Sequence, residues 1–306
     1  VYIVVRKFNL KMENIINDSV VVENFSRIYP LLNKHIIENA SFVESRNGDT
    51  REIIDFKTTL TNPYKRCVGG LRRNANIFFL MAEAMWIFKG EKDVEFLEIF
   101  NSNMRNYSDD GINFHAPYGF RIRHFGVSSF DKVKPNSPEN NGHAINQITI
   151  GEDQLLKSLK ELKQNPGSRR VVIQIWNAEL DLAKDSKDLP CNDLIFLKIR
   201  DGELRTTIAN RSNDLHWGLT TNIFQFSFMS EIISNILEIK MGTQTHNSQS
   251  LHIYLNNEIP FLMYENLQLS DGKYTDLYDQ YECMAMDMKF DSELVEARLH
   301  EVDYFL

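Results

Sequence analysis

Residues 191–212 read CNDLIFLKIRDGELRTTIANRS, two runs rich in apolar and β-branched residues joined by Asp201-Gly202. Aspartate followed by glycine tolerates the two positive φ angles of a tight turn, so the stretch predicts an antiparallel hairpin. Such a hairpin returns its two ends to the same place. With Arg200 facing Glu203, regular pairing puts Cys191 opposite Ser212 and beside Arg211. A lone cysteine is more often a small buried hydrophobe than a nucleophile. An adjacent guanidinium favours the thiolate, the reactive form, so the neighbours decide the matter.

The hairpin sits among segments of both kinds. NANIFFLMAEAMWIFKG reads as a helix closed by Gly90, apolar on nearly every face and therefore expected to be buried. QLLKSLKELKQNPGS is an amphipathic helix stopped by Pro166 and Gly167, followed by the strand-like VVIQIW and the loop NAELDLAKDSKDLP. TTNIFQFSFMSEIISNILEI predicts a long buried helix and SLHIYL a short strand. Helices mixed with hairpin strands point to an α+β fold, a mixed β-sheet packed by the long buried helix. Residues 1–306 are read as a single domain, with 1–39 an N-terminal extension and the polar, turn-rich 126–147 a surface excursion.

Charge and cysteine usage narrow the function classes. The chain has 34 Lys+Arg against 42 Asp+Glu, a net charge of -8, which argues against a sequence-independent nucleic-acid binder and leaves any anion site to a local basic cluster. Cys67, Cys191 and Cys283 form neither a disulfide framework nor the paired spacing of a zinc site, so no metal is expected and a reducing cytoplasm is. The opening VYIVVRKFNLKMEN reads as a strand or tail rather than a leader, and no apolar run is long enough to span a membrane.

Two basic clusters stand out: Ser168-Arg169-Arg170, ahead of a strand, and Arg211 with Ser212, a guanidinium beside a hydroxyl as phosphate binding requires. Taken with the thiol, they favour an anionic substrate. Glu83 lies among Phe79, Leu80, Met81, Met85, Trp86 and Ile87, where an ionised carboxylate is costly. Its pKa is expected to be raised, which suits a proton shuttle near neutrality.

Read in order, these segments resemble the thymidylate synthase superfamily, which includes the pyrimidine nucleotide hydroxymethylases. The resemblance covers roughly residues 40–257. ESRNGDTREI resembles the family's phosphate loop, with Arg46; AEAMWIFKG the helix of its catalytic glutamate, Glu83; APYGFRIR the segment of its active-site tyrosine, Tyr118. NPGSRRVVIQIWN resembles the arginine pair, Arg169 and Arg170, that reaches across a homodimer interface to the partner's substrate phosphate. LPCN resembles the nucleophile segment and NRSNDLHWGLTTN the stretch reading phosphate, folate and base, with Arg211, Ser212, Asp214, Gly218 and Asn222. SLHIY supplies His252 and Tyr254 for the sugar hydroxyl.

The resemblance implies a homodimer with shared sites, a pyrimidine nucleoside monophosphate as substrate and 5,10-methylenetetrahydrofolate as one-carbon donor. Catalytic roles fall to Cys191, Glu83, Tyr118 and Asp214, and folate binding to Asp214 and Gly218. Thiolate addition at ring carbon six turns carbon five into a nucleophile. The methylene group it acquires then takes hydride, giving methyl, or water, giving hydroxymethyl.

Three departures favour water. Asn192 stands where methyl-forming members have histidine, NMRNYSDDGINFHAPYG replaces their tryptophan-rich segment, and EARLHEVDYFL does not resemble their closing tail. A uracil nucleotide is expected over a cytosine one, because an asparagine at 222 matches the uracil edge. Methyl-forming synthesis, a cytidylate substrate and a catalytically silent relative are the competing readings.

Overall fold

The structure, a computed structural model, describes residues 15–16, 18–45, 47–68, 75–126 and 151–269. Strands β1 (Ile15–Ile16) and β2 (Ser19–Val22), helix α1 (Phe25–Asn39), and strands β3 (Ser41–Val43) and β4 (Thr50–Leu60) come first. Helices α2 (Ile77–Lys89), α3 (Glu95–Glu98), α4 (Tyr118–Arg123) and α5 (Gln154–Gln164) follow. Then come β5 (Val172–Gln174), α6 (Ala178–Asp181), β6 (Asn192–Arg200), β7 (Glu203–Asn210), β8 (Asn213–Asp214), α7 (Thr220–Ile236), β9 (Lys240–Tyr254) and α8 (Glu258–Leu269). The surface excursion expected at 126–147 lies, from 127 on, outside the described residues, as does the tail EARLHEVDYFL.

The strands form one mixed sheet in the order β1-β2-β4-β9-β7-β6-β5, with β3 beside β4 and β8 beside β9. β7 and β9 run parallel and β4 and β9 antiparallel, so the fold is α+β, as the sequence predicts. The register fixes two faces. Ile173, Ile195, Ile208, His246 and Thr58 pair side by side across five strands, and all are fully buried. The next row, Val172–Phe196–Thr207–Thr245–Thr59, faces the other way, and there Val172 is 43% exposed.

Helix α7 is the core's axle. Phe226, Met229 and Ile233 pack with β5–β7 and α5, Leu219 and Ile223 with α1, β4 and β9, and Phe224, Phe228 and Ile232 with Leu80 and Ala84 of α2. A helix buried all round must satisfy its own polar side chains. Ser227, Ser230 and Ser234 donate to carbonyls within the helix, and Glu231 pairs with Arg66. The helix stops at Ile236, short of the expected 239, because Glu238 turns left-handed at φ 55° and the N–H of Ile239 returns to the Ser234 carbonyl.

Three sequence expectations need correction. Helix α2 has the expected termini, Asn76 capping Phe79 and Gly90 closing at φ 80°, but it is not buried all round: Phe78 is 75% exposed and Met85 45%. The broad face bearing Leu80, Ala82, Ala84, Trp86 and Ile87 enters the core and the stripe with Phe78 and Met85 does not, so overall apolarity overstated its burial. Strand β9 runs from Lys240, far beyond SLHIYL. Its inward Gln244, His246 and Ser248 are polar, with Gln244 donating to the Ile223 carbonyl and bonded to the His246 ring. Lastly, residues 25–39 form α1, whose Phe25, Ile28, Tyr29, Leu32 and Ile36 are fully buried.

Candidate active site

Cys191 immediately precedes β6. From Arg200–Glu203 back to Leu194–Ala209 the hairpin pairs as predicted, but Asn192 then faces Asn210, leaving Asp193 as an extra residue. The bulged Asp193 carbonyl takes the N–H groups of both Ile175 and Trp176. Bulges re-aim side chains. The shift sets Cys191 opposite Arg211, whose N–H donates to the Cys191 carbonyl at 3.1 Å, rather than opposite Ser212.

Arg211 does not make the thiol acidic here, against expectation. Burial pushes the Cys191 thiol above its ordinary range; Arg211 opposes this, and Asp188, Asp193 and Asp214 reinforce it. The Arg211 guanidinium is occupied with the loop carbonyls, Nε donating to Pro190 at 2.9 Å, and lies 5.5 Å over the Trp176 ring. Among the described residues the hydrogen-bond partner of Sγ is the Leu189 carbonyl, at 3.9 Å.

Tyr118 and Glu83 are brought to the thiol by a close helix contact. Gly119 sits so tightly against α2 that a Cβ there would lie 2.1 Å from the Ile87 carbonyl, so only glycine lets α4 approach. Ile87 is one turn from Glu83 and Gly119 follows Tyr118, so the contact seats the phenol beside the carboxyl. Tyr118 Oη accepts the Cys191 N–H at 3.4 Å. Burial raises the phenol's pKa, and Cys191, Asp188 and Glu83 add to the effect.

Burial likewise raises Glu83 to about 7, opposed by a hydrogen bond from Gln225 of α7. Some of the side chain reaches solvent, but Oε2 does not and has no partner among the described residues. The environment of that atom sets the shift.

Asn222 is the third residue of α7 and not its N-cap, which is Leu219, so capping does not explain it. It belongs to a buried amide chain. Asn210 Nδ2 donates to Asn192 Oδ1, Asn192 Nδ2 to Asn222 Oδ1 at 3.3 Å, Asn222 Nδ2 to Asn213 Oδ1 at 3.4 Å, and Asn213 Nδ2 to Ser248 Oγ at 3.0 Å. Gly218 serves this chain: a Cβ there would meet Asn213 Oδ1 at 2.8 Å. Asp214 Oδ1 accepts the N–H groups of His216 and Trp217, fixing the turn that leads into α7.

His252 is buried on β9, its ring edge-on to Tyr254 at 5.2 Å. Tyr254 lines a cleft of about 690 Å³ with Asn47, Asn106, Tyr107 and Lys187 among its walls. Arg46 lies outside the described residues, although the next residues, Asn47 and Gly48, lie against Tyr254 and Asn256. Ser212 follows Arg211 in the turn between β7 and β8.

Arg169 and Arg170 do not flank the thiol within this chain. β5 runs antiparallel to β6 with Val172 opposite Phe196, so the pair lies at the far end of β6 from Cys191, roughly 20 Å away at about 3.3 Å per residue. Both are exposed, and Arg170 pairs with Glu161 at 2.8 Å.

Sequence reasoning missed the struts. Asp188 Oδ2 accepts the Ala116 N–H at 2.7 Å, tying the Cys191 loop to the Tyr118 segment. Arg121 grips Asp181 through two bonds of 2.5 and 2.8 Å, and His115 reaches the same carboxylate at 3.2 Å. Spacing from the cysteine was the only available cue to Asp188. Among the described residues no cluster of three or more histidines, cysteines and carboxylates could hold a metal, and Cys191 is not paired in a disulfide.

The sequence model of the family described as thymidylate synthase matches residues 27–273. Deoxyuridylate hydroxymethyltransferase of Bacillus phage SP01 is 35% identical over 234 residues, 76% of this chain and 57% of the relative. That of Pseudomonas phage M6 is 37% identical over 215 residues, 69% of this chain and 54% of the relative. Thymidylate synthase of Ascaris suum is 27% identical over 240 residues, covering 73% of this chain and 76% of the relative. The chain thus spans just over half the length of the hydroxymethyltransferases it matches. With most of its length inside the family model, and with the thiol, phenol, carboxyl and amide gathered from separate elements around the end of β6, the chain belongs to the thymidylate synthase family.

Proposed function

We propose that the chain is a hydroxymethyltransferase acting at carbon five of a uracil nucleotide, dUMP, with 5,10-methylenetetrahydrofolate as the donor. The observation that carries this reading is the meeting of Cys191, Tyr118 and Glu83 from three separate elements. The hydroxymethyltransferase names of the 35–37% identical relatives favour water over hydride as the last reactant.

The cleft beside Tyr254 fits a folate: about 690 Å³ is ample, Tyr107 and Tyr254 offer aromatic faces, and Lys187 with Asn47 and Asn106 offers partners for an anionic tail. The folate supplies a one-carbon unit at the methylene level of oxidation. Cys191 adds to ring carbon six, and Tyr118 Oη, held by the Cys191 N–H, fixes the loop that carries the thiol. Glu83, with a pKa near neutrality, takes the proton from the attacking water. Arg211, once turned from the loop carbonyls, binds phosphate with Ser212 and Arg46.

Uracil preference follows from the amide chain. Asn222 Oδ1 already accepts from Asn192 and its Nδ2 already donates to Asn213, leaving one lone pair and one N–H. That pair matches the ring N–H and carbonyl of uracil. Cytosine offers the reverse at both positions. Asn222→Asp is therefore expected to shift preference toward cytidylate by roughly tenfold or more, the worth of about 1–3 kcal/mol for a matched buried hydrogen bond.

Incubation with methylenetetrahydrofolate and each of UMP, dUMP, CMP and dCMP, read by product mass, tests the whole reading. Hydroxymethyl-dUMP should form without the absorbance rise that accompanies dihydrofolate. A methylated product with a stoichiometric rise would establish the methyl-forming alternative.

The shared-site homodimer is part of the proposal, in a cytoplasmic protein. Arg169 and Arg170 are distant from their own thiol and exposed, and the open sheet row with Val172 and Phe196 offers a face for a second copy. Arg169→Ala and Cys191→Ser proteins, each inactive, should regain part of the activity when mixed, because hybrid dimers contain one intact site. No recovery despite demonstrated subunit exchange would count against sharing. Among the described residues no helix is long and apolar enough to cross a membrane.

A further inference from the structure

His252 lies between two carboxylates in one row across three strands: Glu52 of β4 is its direct partner on one side and Asp214 of β8 on the other. Behind the ring, Ser250 Oγ donates to Glu52 Oε2 and lies 3.3 Å from His252 Nδ1. A serine hydroxyl has one proton, and an ionised carboxylate only accepts. With that proton committed to Glu52, Ser250 Oγ can meet Nδ1 only as an acceptor, so Nδ1 must carry the hydrogen.

We infer that Glu52 and Ser250 are positioning residues that fix His252 as its Nδ1–H tautomer, leaving Nε2 bare to accept a hydrogen bond from a hydroxyl of the ligand. The ring is neutral when this matters: burial lowers the His252 pKa, with Asp214, the Ser250 carbonyl and Glu52 opposing and Arg211 reinforcing. The Ser250 carbonyl acts in the same sense as its hydroxyl, since it too can only accept from a ring N–H. A neutral imidazole offers one donor and one acceptor, and the hydrogen bond behind it selects which faces the site. The site therefore requires a hydroxyl that donates. An acceptor of similar size would set lone pair against lone pair.

The ligand assignment rests on the nucleotide reading above, because a 2′-deoxynucleoside 5′-monophosphate has one free sugar hydroxyl, at the 3′ position. The tautomer does not rest on it, so the two are tested separately. Nitrogen-15 NMR of the histidine rings in the full ligand-free chain should show His252 with Nδ1 protonated and Nε2 bare; a protonated Nε2 overturns the relay. In binding assays dUMP should exceed its 3′-fluoro analogue, which cannot donate, by at least about tenfold. Equal affinities overturn the donor requirement, whereas failure to bind dUMP at all would sink the nucleotide reading and leave the NMR result standing. Ser250→Ala should mix the tautomers and narrow the dUMP preference several-fold, and Ser250→Thr, which keeps the hydroxyl, should restore both. An unchanged tautomer in Ser250→Ala, which keeps the residue 250 carbonyl, would remove the Ser250 hydroxyl and with it Glu52 from the relay.

Discussion

Replacing Cys191 with serine is expected to lower turnover by roughly 10⁴-fold or more, the scale seen when a covalent nucleophile is removed, with dUMP affinity changed by no more than a few-fold. The separation follows from what the thiol touches. Among the described residues Sγ makes one weak hydrogen bond, 3.9 Å to the Leu189 carbonyl, while the local backbone is held by groups that the substitution leaves alone. These are the Cys191 N–H on Tyr118, the Arg211 N–H on the Cys191 carbonyl and the Asp188 bond to Ala116. The variant should therefore fold and bind. Burial and three carboxylates hold the resting thiol above its usual pKa, so on the proposed mechanism the thiolate forms as the nucleotide binds; a serine hydroxyl, far less acidic, has no such route. Equilibrium dUMP binding beside single-turnover kinetics checks both halves, and near-normal turnover would rule out covalent addition.

That the thiol could be singled out from sequence, while its exact neighbour could not, has a physical explanation. The hairpin was legible because Asp201-Gly202 and alternating apolar residues are local signals, and the pairing holds from Arg200–Glu203 to Leu194–Ala209. The bulge at Asp193 was not, because its cause is distant: the Asp193 carbonyl is drawn out to serve Ile175 and Trp176. Strand β9 was mostly hidden for a related reason. Its inward Gln244, His246 and Ser248 give no apolar alternation: Gln244 donates to the Ile223 carbonyl of α7 and bonds the His246 ring on its own strand, and Ser248 accepts from Asn213. In α1 the signal was present, with buried Phe25, Ile28, Tyr29, Leu32 and Ile36 at helical spacing, but Pro30 inside the run suppresses a helix reading.

The candidate site divides along the same line. Glu83 was visible because a carboxylate in an apolar helix contradicts its surroundings. Asp188, Asp181 and Glu52 were invisible because an acid in a polar segment looks like any solvated charge, and only the fold reveals that Ala116, Arg121 and Ser250 are waiting for them.

Glu83→Gln is expected to lower turnover by about 10²–10⁴-fold, the usual contribution of a positioned proton acceptor, and at the same time to stabilise the ligand-free protein at high pH. The second effect comes from the raised pKa. In the unfolded chain this carboxyl titrates near its ordinary 4.5, in the fold near 7. Such a group favours the native state relative to its ionised form below the unfolded pKa, and that advantage is lost as pH rises through the folded one. Ionised Glu83 is therefore a liability that grows between about pH 4.5 and 7 and levels off above, approaching about 3 kcal/mol at about 1.4 kcal/mol per pH unit. Glutamine removes it. The orphaned atoms agree with this sign: among the described residues Glu83 Oε2 and Gln225 Oε1 are both buried acceptors without donors, a mismatch that a proton or an amide N–H on residue 83 relieves. Urea midpoints of the two proteins at pH 5 and pH 8 should accordingly diverge, the variant gaining on the native chain as pH rises. A stability difference that does not change with pH would show that the carboxyl is not held protonated by burial, and undiminished turnover would exclude it as the acceptor of the water's proton.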